Sequence, residues 1–241
     1  MSLHPAARLF GVVALAFASL ASAADSAPLQ PFQADYIVLR NGKELGHATL
    51  TLQEADRGTW QFRNETHGTK GMASMLGLDI VENSTFRWRD GLPEGLQYRY
   101  EQHAAIKSRQ RSIDFDWNAH EARNHDGKND WVAPLERGAM DRNLVTLAIM
   151  TRLKTGSQDL AFAVVDKDRV AEQRYAQGAR ESLSLPAGTV EAVRVERRRD
   201  DNSRTTTSWF APQRGWLPVQ IEQVEKNGET ITMRLASAPH G

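Results

Sequence analysis

The chain has 241 residues, and its 30 basic and 30 acidic side chains give it a formal net charge of zero. A neutral balance argues against a nucleic-acid-binding protein, which would carry a basic excess. The chain contains no cysteine, which excludes a thiol nucleophile, an iron–sulfur cluster and a cysteine zinc site.

The first residues have the pattern of a secretory signal peptide. Arg8 precedes an apolar run from Leu9 to Leu20, and Ala21-Ser22-Ala23 follows as a cleavage site. The run of ~12 residues is too short to span a bilayer, which needs about 20. We therefore expect residues 1–23 to be a signal peptide cleaved near Ala23, a buried N-terminal helix being the alternative. The mature chain should then be exported to the periplasm, with no transmembrane segment.

The mature chain begins with a proline-bearing leader, residues 24–31, which we expect to be flexible. Beyond it apolar and polar residues alternate, as at Ala48, Leu50 and Leu52, which is typical of half-buried strands. Asn-Gly and Asp-Gly pairs between such runs favour tight hairpin turns. The predicted strands are 32–40, 44–54, 58–67, 79–89, 95–104, 107–118, 159–165, 169–176, 179–185, 189–199, 204–211, 216–226 and 229–236.

Adjacent strands joined by short turns predict an all-β, mainly antiparallel fold. We expect a curved sheet or a partly open β-barrel-like structure. No internal repeat or low-complexity linker divides the mature chain. A single β-rich domain over residues 32–237 is therefore the simplest interpretation, and two joined β halves flanking a helix are the alternative.

One stretch has helical rather than strand spacing. Its apolar residues include Leu144, Ala148 and Leu153, and Asp141 lies where an N-cap would accept backbone N–H bonds. Gly156 can end the helix. We predict one central helix over about 141–154, packed against the sheet or closing one end of a barrel.

The segment from Gly68 to Asp79 contains several glycines and is predicted to be a loop. Its apolar tip contains Met72, Met75 and Leu76. Methionine side chains on such a segment can adapt to a ligand. A loop docked on the core is the alternative.

The sequence contains no recognisable catalytic or metal-binding motif. A Gly-x-Ser-x-Gly elbow is absent. His120 and His125 miss the spacing of a zinc-binding helix by one residue, and Ala119 stands where a calcium loop needs glycine. We therefore predict no catalytic residue, no metal site and no cofactor.

Aromatic side chains on the predicted strands either fill a core or line a cavity. A closed barrel of about eight strands can hold one small apolar ligand, and ligand pockets favour apolar walls with few polar groups. Together with the loop tip, the candidate binding residues are Tyr36, Trp60, Phe62, Met72, Met75, Leu76, Tyr98 and Tyr100.

The C-terminal run TTTSWFAPQRGWLPVQIE resembles the hallmark of an exported bacterial family, domain of unknown function 3108. The matching residues are Trp209, Phe210, Pro212, Leu217, Pro218 and Val219. Further segments match in order, including the opening hairpin with Tyr36, Gly42 and Gly46, so that the resemblance covers about 32–236. It implies an exported, curved antiparallel β-structure and supplies no catalytic residues.

Five residues of these motifs are expected to be structural. Pro218 cannot donate a ladder hydrogen bond, so it should begin its strand or lie at an edge or a bulge. Asp141 should cap the helix. The full set is Asp141, Trp209, Pro212, Leu217 and Pro218.

The leading functional hypothesis is a non-enzymatic protein that binds an apolar or amphiphilic ligand, such as a lipid, or an envelope protein partner. The first alternative is a hydrolase of an envelope polymer, glycan or peptidoglycan, which would use paired carboxylates. Candidates for such a pair are Glu65, Glu82 and Glu101. The second alternative is a protein-interaction module that adds a partner strand to a sheet edge.

Overall fold

The structure is a computed structural model that describes residues 27–71, 74, 77–105, 108–199 and 204–240. The predicted signal peptide, residues 1–23, lies outside the described residues, as do Met72, Met75 and Leu76. The strands are β1 (Phe32–Arg40), β2 (Lys43–Glu54), β3 (Trp60–Gly68), β4 (Asp79–Arg89), β5 (Leu92–His103), β6 (Arg109–Asp116), β7 (Glu121–Asp126), β8 (Asn129–Pro134), β9 (Ala161–Asp166), β10 (Arg169–Leu185), β11 (Gly188–Arg198), β12 (Arg204–Ala211), β13 (Leu217–Glu225) and β14 (Thr230–Leu235).

All 14 described strands belong to one antiparallel sheet, in which consecutive strands pair except β8 and β9. β1 also pairs with β14, with Val38 opposite Met233. The two ends of the sheet are therefore β8 and β9, between which the helix is inserted. The sheet curves into a nearly closed barrel, which confirms the predicted all-β, barrel-like class.

Two of the 14 strands were not predicted. β7 and β8 form a hairpin around Asp126 and Gly127, and the predicted strand list has no members there. β7 reads EARNHD, and only Ala122 and Asn124 are buried, so its apolar alternation is too weak to mark a strand. The predicted strands 169–176 and 179–185 form one strand, β10, because the chain passes Gly178 in a bulge instead of a turn.

The helix, α1 (Val145–Lys154), lies inside the barrel. Seven of its ten residues are buried, so it is apolar on nearly all sides, as an enclosed helix must be. It contacts β5, β9 and β13. Among the described residues no helix is long and apolar enough to cross a membrane.

α1 begins four residues later than predicted. Residues 142–144 form a turn, and the Asp141 carboxylate accepts hydrogen bonds from the backbone N–H groups of Asn143 (2.9 Å) and Leu144 (3.2 Å). Asp141 thus caps the turn that leads into the helix. At the other end Gly156 adopts a φ of 74°, which glycine takes without strain.

The two ends of the sheet overlap instead of meeting edge to edge. Asn124, whose side chain points into the barrel from β7, donates a 2.7 Å hydrogen bond to the carbonyl oxygen of Lys167 in the β9–β10 turn. Val165 and Val170 pack with Tyr98 and Ile113 of the inner wall. The β9–β10 turn therefore lies against the inner face of β5–β8.

Residues 27–31, assigned to a flexible leader from the sequence, pack against the barrel. Leu29 is buried, and the Pro28 carbonyl accepts a 2.7 Å hydrogen bond from the ammonium of Lys154 at the end of α1. Leu29 belongs to the hydrophobic core around α1, and the burial of its apolar side chain explains this position. The leader covers the barrel end that contains the C-terminus of α1.

Candidate ligand-binding site

Three of the candidate binding residues lie in the core around α1. Tyr36, Trp60 and Phe62 are at most 6% exposed. Trp60 packs edge-on against Trp88, with 6.1 Å between ring centroids. These rings fill the half of the barrel that contains α1, so they leave no space there for a ligand.

Tyr98 and Tyr100 instead lie together beneath one arginine. Alternation along β5 turns both rings into the barrel. Arg142, in the turn before α1, donates a 2.9 Å hydrogen bond from Nε to the Tyr98 hydroxyl. Its guanidinium carbon is 5.8 Å from the centre of the Tyr98 ring and 5.0 Å from that of Tyr100, within the range of a cation–π contact.

Glu82 fixes the position of Arg142. A terminal guanidinium nitrogen of Arg142 lies 2.5 Å from Glu82 Oε1. The Glu82 side chain is 17% exposed, whereas the Arg142 side chain is 45% exposed. Arg142 is thus held by a largely buried carboxylate while it still faces solvent inside the barrel.

A second cationic group lies on β6. Arg109, Arg111 and Ile113 alternate, so all three point inward. Asp126 on β7 contacts Arg109 (2.8 Å) and Arg111 (2.7 Å) through the same oxygen. The hydrogen bond from Arg109 lowers the pKa of Asp126, which therefore remains ionised at neutral pH.

These residues form one row across four strands. Glu82 is opposite Tyr100, Tyr100 is opposite Arg111, and Arg111 is opposite Asp126. Residues directly opposite in an antiparallel pair share a face of the sheet. The inner wall of β4–β7 therefore carries a continuous polar and charged row.

A pocket lies where the β9–β10 turn covers this wall. Its empty volume is about 490 Å³, including its open mouth. Lys167, at the tip of the turn, has a φ of 58°, and its ammonium is 5.9 Å from the centre of the Trp131 ring. We call this space the seam pocket; its side chains with a charge or an apolar surface are Tyr98, Arg111, Ile113, His125, Asp126, Trp131, Arg142, Val165, Asp166 and Lys167.

Asp141 lies in a buried polar cluster directly behind Arg142. Its Oδ1 accepts a 2.8 Å hydrogen bond from Ser84, and the Asn143 amide donates to Ser84 Oγ and to the Phe62 carbonyl, both at 3.1 Å. Oδ2 has no hydrogen-bond partner among the described residues. Burial raises the pKa of Asp141 to about 7.

The arrangement does not favour acid–base catalysis. Asp141 is 0% exposed, so no substrate reaches its carboxyl group in this conformation. Glu65 and Glu101 are both opposite Val81, whose side chain points away from that of Glu82. The three carboxylates proposed for a hydrolase therefore do not converge in one cleft. In the described part of the chain no three His, Asp or Glu side chains are grouped to hold a metal ion.

The residues expected to be structural lie at the junction of β12 and β13. Phe210 is opposite Pro218, and the register shifts beside them, so Pro218 lies next to a bulge as its missing N–H requires. Leu217 is 1% exposed, and Pro212 begins a 3₁₀ turn. Trp209 points to the opposite face from Phe210 and donates a 2.7 Å hydrogen bond to Glu181.

The charged residues of the seam pocket were not predicted as site residues. Arg111 could have been found, because it alternates with Ile113 and Phe115, and a cation in an inward position is unusual. Arg142 follows the predicted cap Asp141 directly. Lys167 had no comparable signal, since only the overlap of the sheet ends brings its turn to the inner wall.

Comparisons with known proteins bear on the fold and the family. Among solved structures, a beta-barrel-like protein of domain of unknown function DUF1849 from Brucella abortus is similar to this chain, with a TM-score of 0.53 and 12% identity. The similarity covers 88% of this chain and 99% of the other. At that identity it shows a shared barrel-like fold.

A comparison with curated proteins finds no significant match. The family described as protein of unknown function (DUF3108) matches residues 32–236. This range contains all 14 strands and the central helix. The chain therefore belongs to the DUF3108 family of proteins of unknown function.

Proposed function

We propose that this protein is exported and binds an amphiphilic molecule, without catalysis, in the half of the barrel that α1 leaves open. The observation that carries the proposal is a change in burial along the strands. β13 is buried over its first three residues and only partly buried over the next six. β4 shows the reverse order, with five partly buried residues before Ser84.

Partial burial of successive residues means that solvent reaches both faces of the sheet. A strand with one face in a filled core would show strict alternation instead. The open half of the barrel lies at the end with the β1–β2, β3–β4 and β13–β14 turns. It is the end opposite the packed leader.

The wall of the open half formed by β1, β13 and β14 carries an apolar row. Met233 lies between Val38 and Ile221 in one row across these strands. Ile231, two residues before Met233, lies on the same face between Arg40 and Gln223. Ile221, Ile231 and Met233 are only partly buried, so they present apolar surface to the lumen.

The charged row of β4–β7 lies across the lumen from this apolar wall. In the order of the 14 strands, β6 is seven positions from β13 and β7 is seven positions from β14, half-way around the sheet. One wall thus offers cations and hydroxyl groups, and the other offers aliphatic side chains. An amphiphile, with one polar end and one apolar end, matches such a lumen.

The export signal read from residues 1–23 supports a location in the envelope, where amphiphiles are abundant. A ligand carrier needs no catalytic motif, and none was found in the sequence. The two observations are compatible with a carrier or a protein that maintains the envelope.

Partner binding by strand addition has less support. β8 pairs with β7 and has no second partner among the described strands. Its exposed edge is six residues long and contains Asp130 and Pro134. A short edge with a charge and a proline resists pairing with another chain, although Val132 on it is 52% exposed.

Binding can be tested with a neutral fluorescent probe, N-phenyl-1-naphthylamine, whose emission rises in an apolar site. We expect the wild type to bind the probe and Met233→Asp to bind it at least about tenfold more weakly, because a charge in an apolar site is costly. Thr232→Asp is the matched control, since its side chain lies on the other face of β14. Circular dichroism should show that both variants fold.

Native mass spectrometry of protein from its own exported fraction provides the second test. We expect a fraction of the protein to retain a small molecule that organic solvent extracts. Consistently empty protein, together with probe binding that Met233→Asp leaves unchanged, would overturn the proposed function.

A further inference from the structure

We infer that the head group of the ligand is an anion with phosphate or carboxylate oxygens, and that Arg111, Arg142 and Lys167 bind it in the seam pocket. This inference rests on the proposed function and names the chemistry of the polar end. It is carried by the donors that remain free where these three side chains converge.

Arg142 uses only part of its hydrogen-bonding capacity. Nε donates to Tyr98, and one terminal nitrogen contacts Glu82. The other terminal nitrogen has no partner among the described residues. A guanidinium group whose Nε and one terminal nitrogen are already bonded presents its other terminal nitrogen in a fixed direction. This arrangement suits a planar or tetrahedral oxyanion.

Arg111 is held by an ion pair, without the hydrogen-bond geometry seen at Arg142. Its Nε lies 2.7 Å from Asp126 Oδ2, and no described residue bonds to either terminal nitrogen. Asp126 therefore positions Arg111 and leaves its outer donors available. Both arginines are oriented by carboxylates behind them while their remaining donors face the pocket.

Lys167 contributes a cation that the protein does not neutralise. In the described part of the chain no carboxylate lies within salt-bridge distance of its ammonium, whose recorded contact is the Trp131 ring at 5.9 Å. An ammonium on a flexible stem can move to a bound oxyanion. The indole ring beside it offers an apolar surface for the first carbons of a chain.

The charge of the pocket agrees with an anion. With the ion-pair partners included, four cations, Arg109, Arg111, Arg142 and Lys167, face three carboxylates, Glu82, Asp126 and Asp166. The space inside it that a water-sized sphere can occupy is about 80 Å³, which is too little to enclose a whole amphiphile. A head group fits there, and its chain would extend along the lumen to Met233.

The test uses competition against the bound neutral probe by four amphiphiles with the same dodecyl chain. The anions are dodecyl phosphate and dodecanoate; the others are dodecyl maltoside, which is uncharged, and dodecyltrimethylammonium. We expect both anions to compete at least about tenfold better than the maltoside, as a charge-assisted hydrogen bond implies. The trimethylammonium compound should compete least.

The variants Lys167→Gln and Arg111→Gln should each weaken competition by the anions about three- to tenfold and leave the maltoside unchanged. Lys128→Gln is the matched control, because Lys128 is an exposed cation on the neighbouring β7–β8 turn outside the pocket. Inorganic phosphate, added alone, should compete only weakly, since it lacks the chain.

Three outcomes would overturn the inference. Equal competition by all four amphiphiles would leave the proposed function intact and remove the anionic preference. An anionic preference that Lys167→Gln and Arg111→Gln do not reduce would place the charge elsewhere. Competition by inorganic phosphate as strong as that by dodecyl phosphate would mean a free-anion site. Failure of the probe itself to bind would instead contradict the proposed function.

Discussion

The hydroxyl of Tyr36 on β1 donates a 2.7 Å hydrogen bond to the carbonyl oxygen of Pro218 on β13. β14 lies between these strands, so the bond crosses a whole strand inside the barrel. Tyr36 is 1% exposed, and burial raises the pKa of its phenol, so it remains a neutral donor. The contact joins β1, the first strand of the chain, to the bulge at the β12–β13 junction.

We expect Tyr36→Phe to lower the free energy of unfolding by about 1–3 kcal/mol, because the buried Pro218 carbonyl loses its partner. Urea unfolding would measure the change. Tyr175→Phe is the control, since the Tyr175 hydroxyl bonds to the part-buried Gln173 side chain and its loss should cost less. Equal losses in the two variants would contradict a special role for the cross-strand bond.

Trp209→Ala should destabilise the fold by about 3–5 kcal/mol, as large core truncations do. The substitution also removes the donor that Glu181 accepts. Trp209→Phe should lose less, because a ring still fills most of the space. Thermal melting and probe binding should fall together; unchanged melting with a selective loss of binding would mean that Trp209 is a binding residue.

Gly46→Ala should prevent stable folding or destabilise it severely. A Cβ at this position would lie 1.9 Å from the carbonyl oxygen of His67 on β3, and two paired backbones cannot separate to admit it without loss of the ladder. Gly178→Ala is the matched control, because a Cβ there would meet its nearest atom at 3.6 Å. Expression yield and melting temperature would separate the two; similar melting would show that β2 and β3 can move apart.

Asp141 should make stability depend on pH. Burial raises its folded pKa from 3.8 to about 7, so the folded state binds this proton more tightly than the unfolded state. The contribution is therefore fully present below the unfolded pKa of 3.8 and is lost as the pH rises to about 7. The slope from this group is at most about 1.4 kcal/mol per pH unit.

The measurement is urea unfolding of wild type and Asp141→Asn across that pH range. We expect the stability of the wild type relative to Asp141→Asn to decrease as the pH rises, because asparagine does not titrate. A difference between wild type and Asp141→Asn that stays constant across this range would contradict the raised pKa.

The sequence predicted the architecture well where one face of a strand is buried. Ala48, Leu50 and Leu52 alternate with polar residues and are buried as expected, and the apolar spacing after Asp141 marked the only helix predicted. β7 was missed because its inward positions hold Ala122 and Asn124, a small residue and a polar one. Where water fills the lumen, inward residues need not be apolar. The alternation of apolar and polar residues on which strand prediction depends is then missing.

The candidate site was less predictable, since it depends on contacts between distant residues. Of the eight proposed binding residues, Tyr98 lines the seam pocket and Tyr100 is beside it in the charged row. Glu82 and Arg142 are 60 positions apart in the chain. Patterns of local sequence spacing do not predict a contact between residues so far apart in the chain. Lys167 reaches the pocket only because the sheet ends overlap, which no single-strand pattern shows.

That overlap frees the barrel from a geometric constraint. In a closed barrel the number of strands and their stagger together set the radius, so any change of width breaks a ladder of hydrogen bonds. Here the β9–β10 hairpin lies inside the wall formed by β5–β8, and Val165 and Val170 contact that wall through their side chains. A change of circumference at this contact would break the Asn124–Lys167 hydrogen bond but no ladder between paired strands.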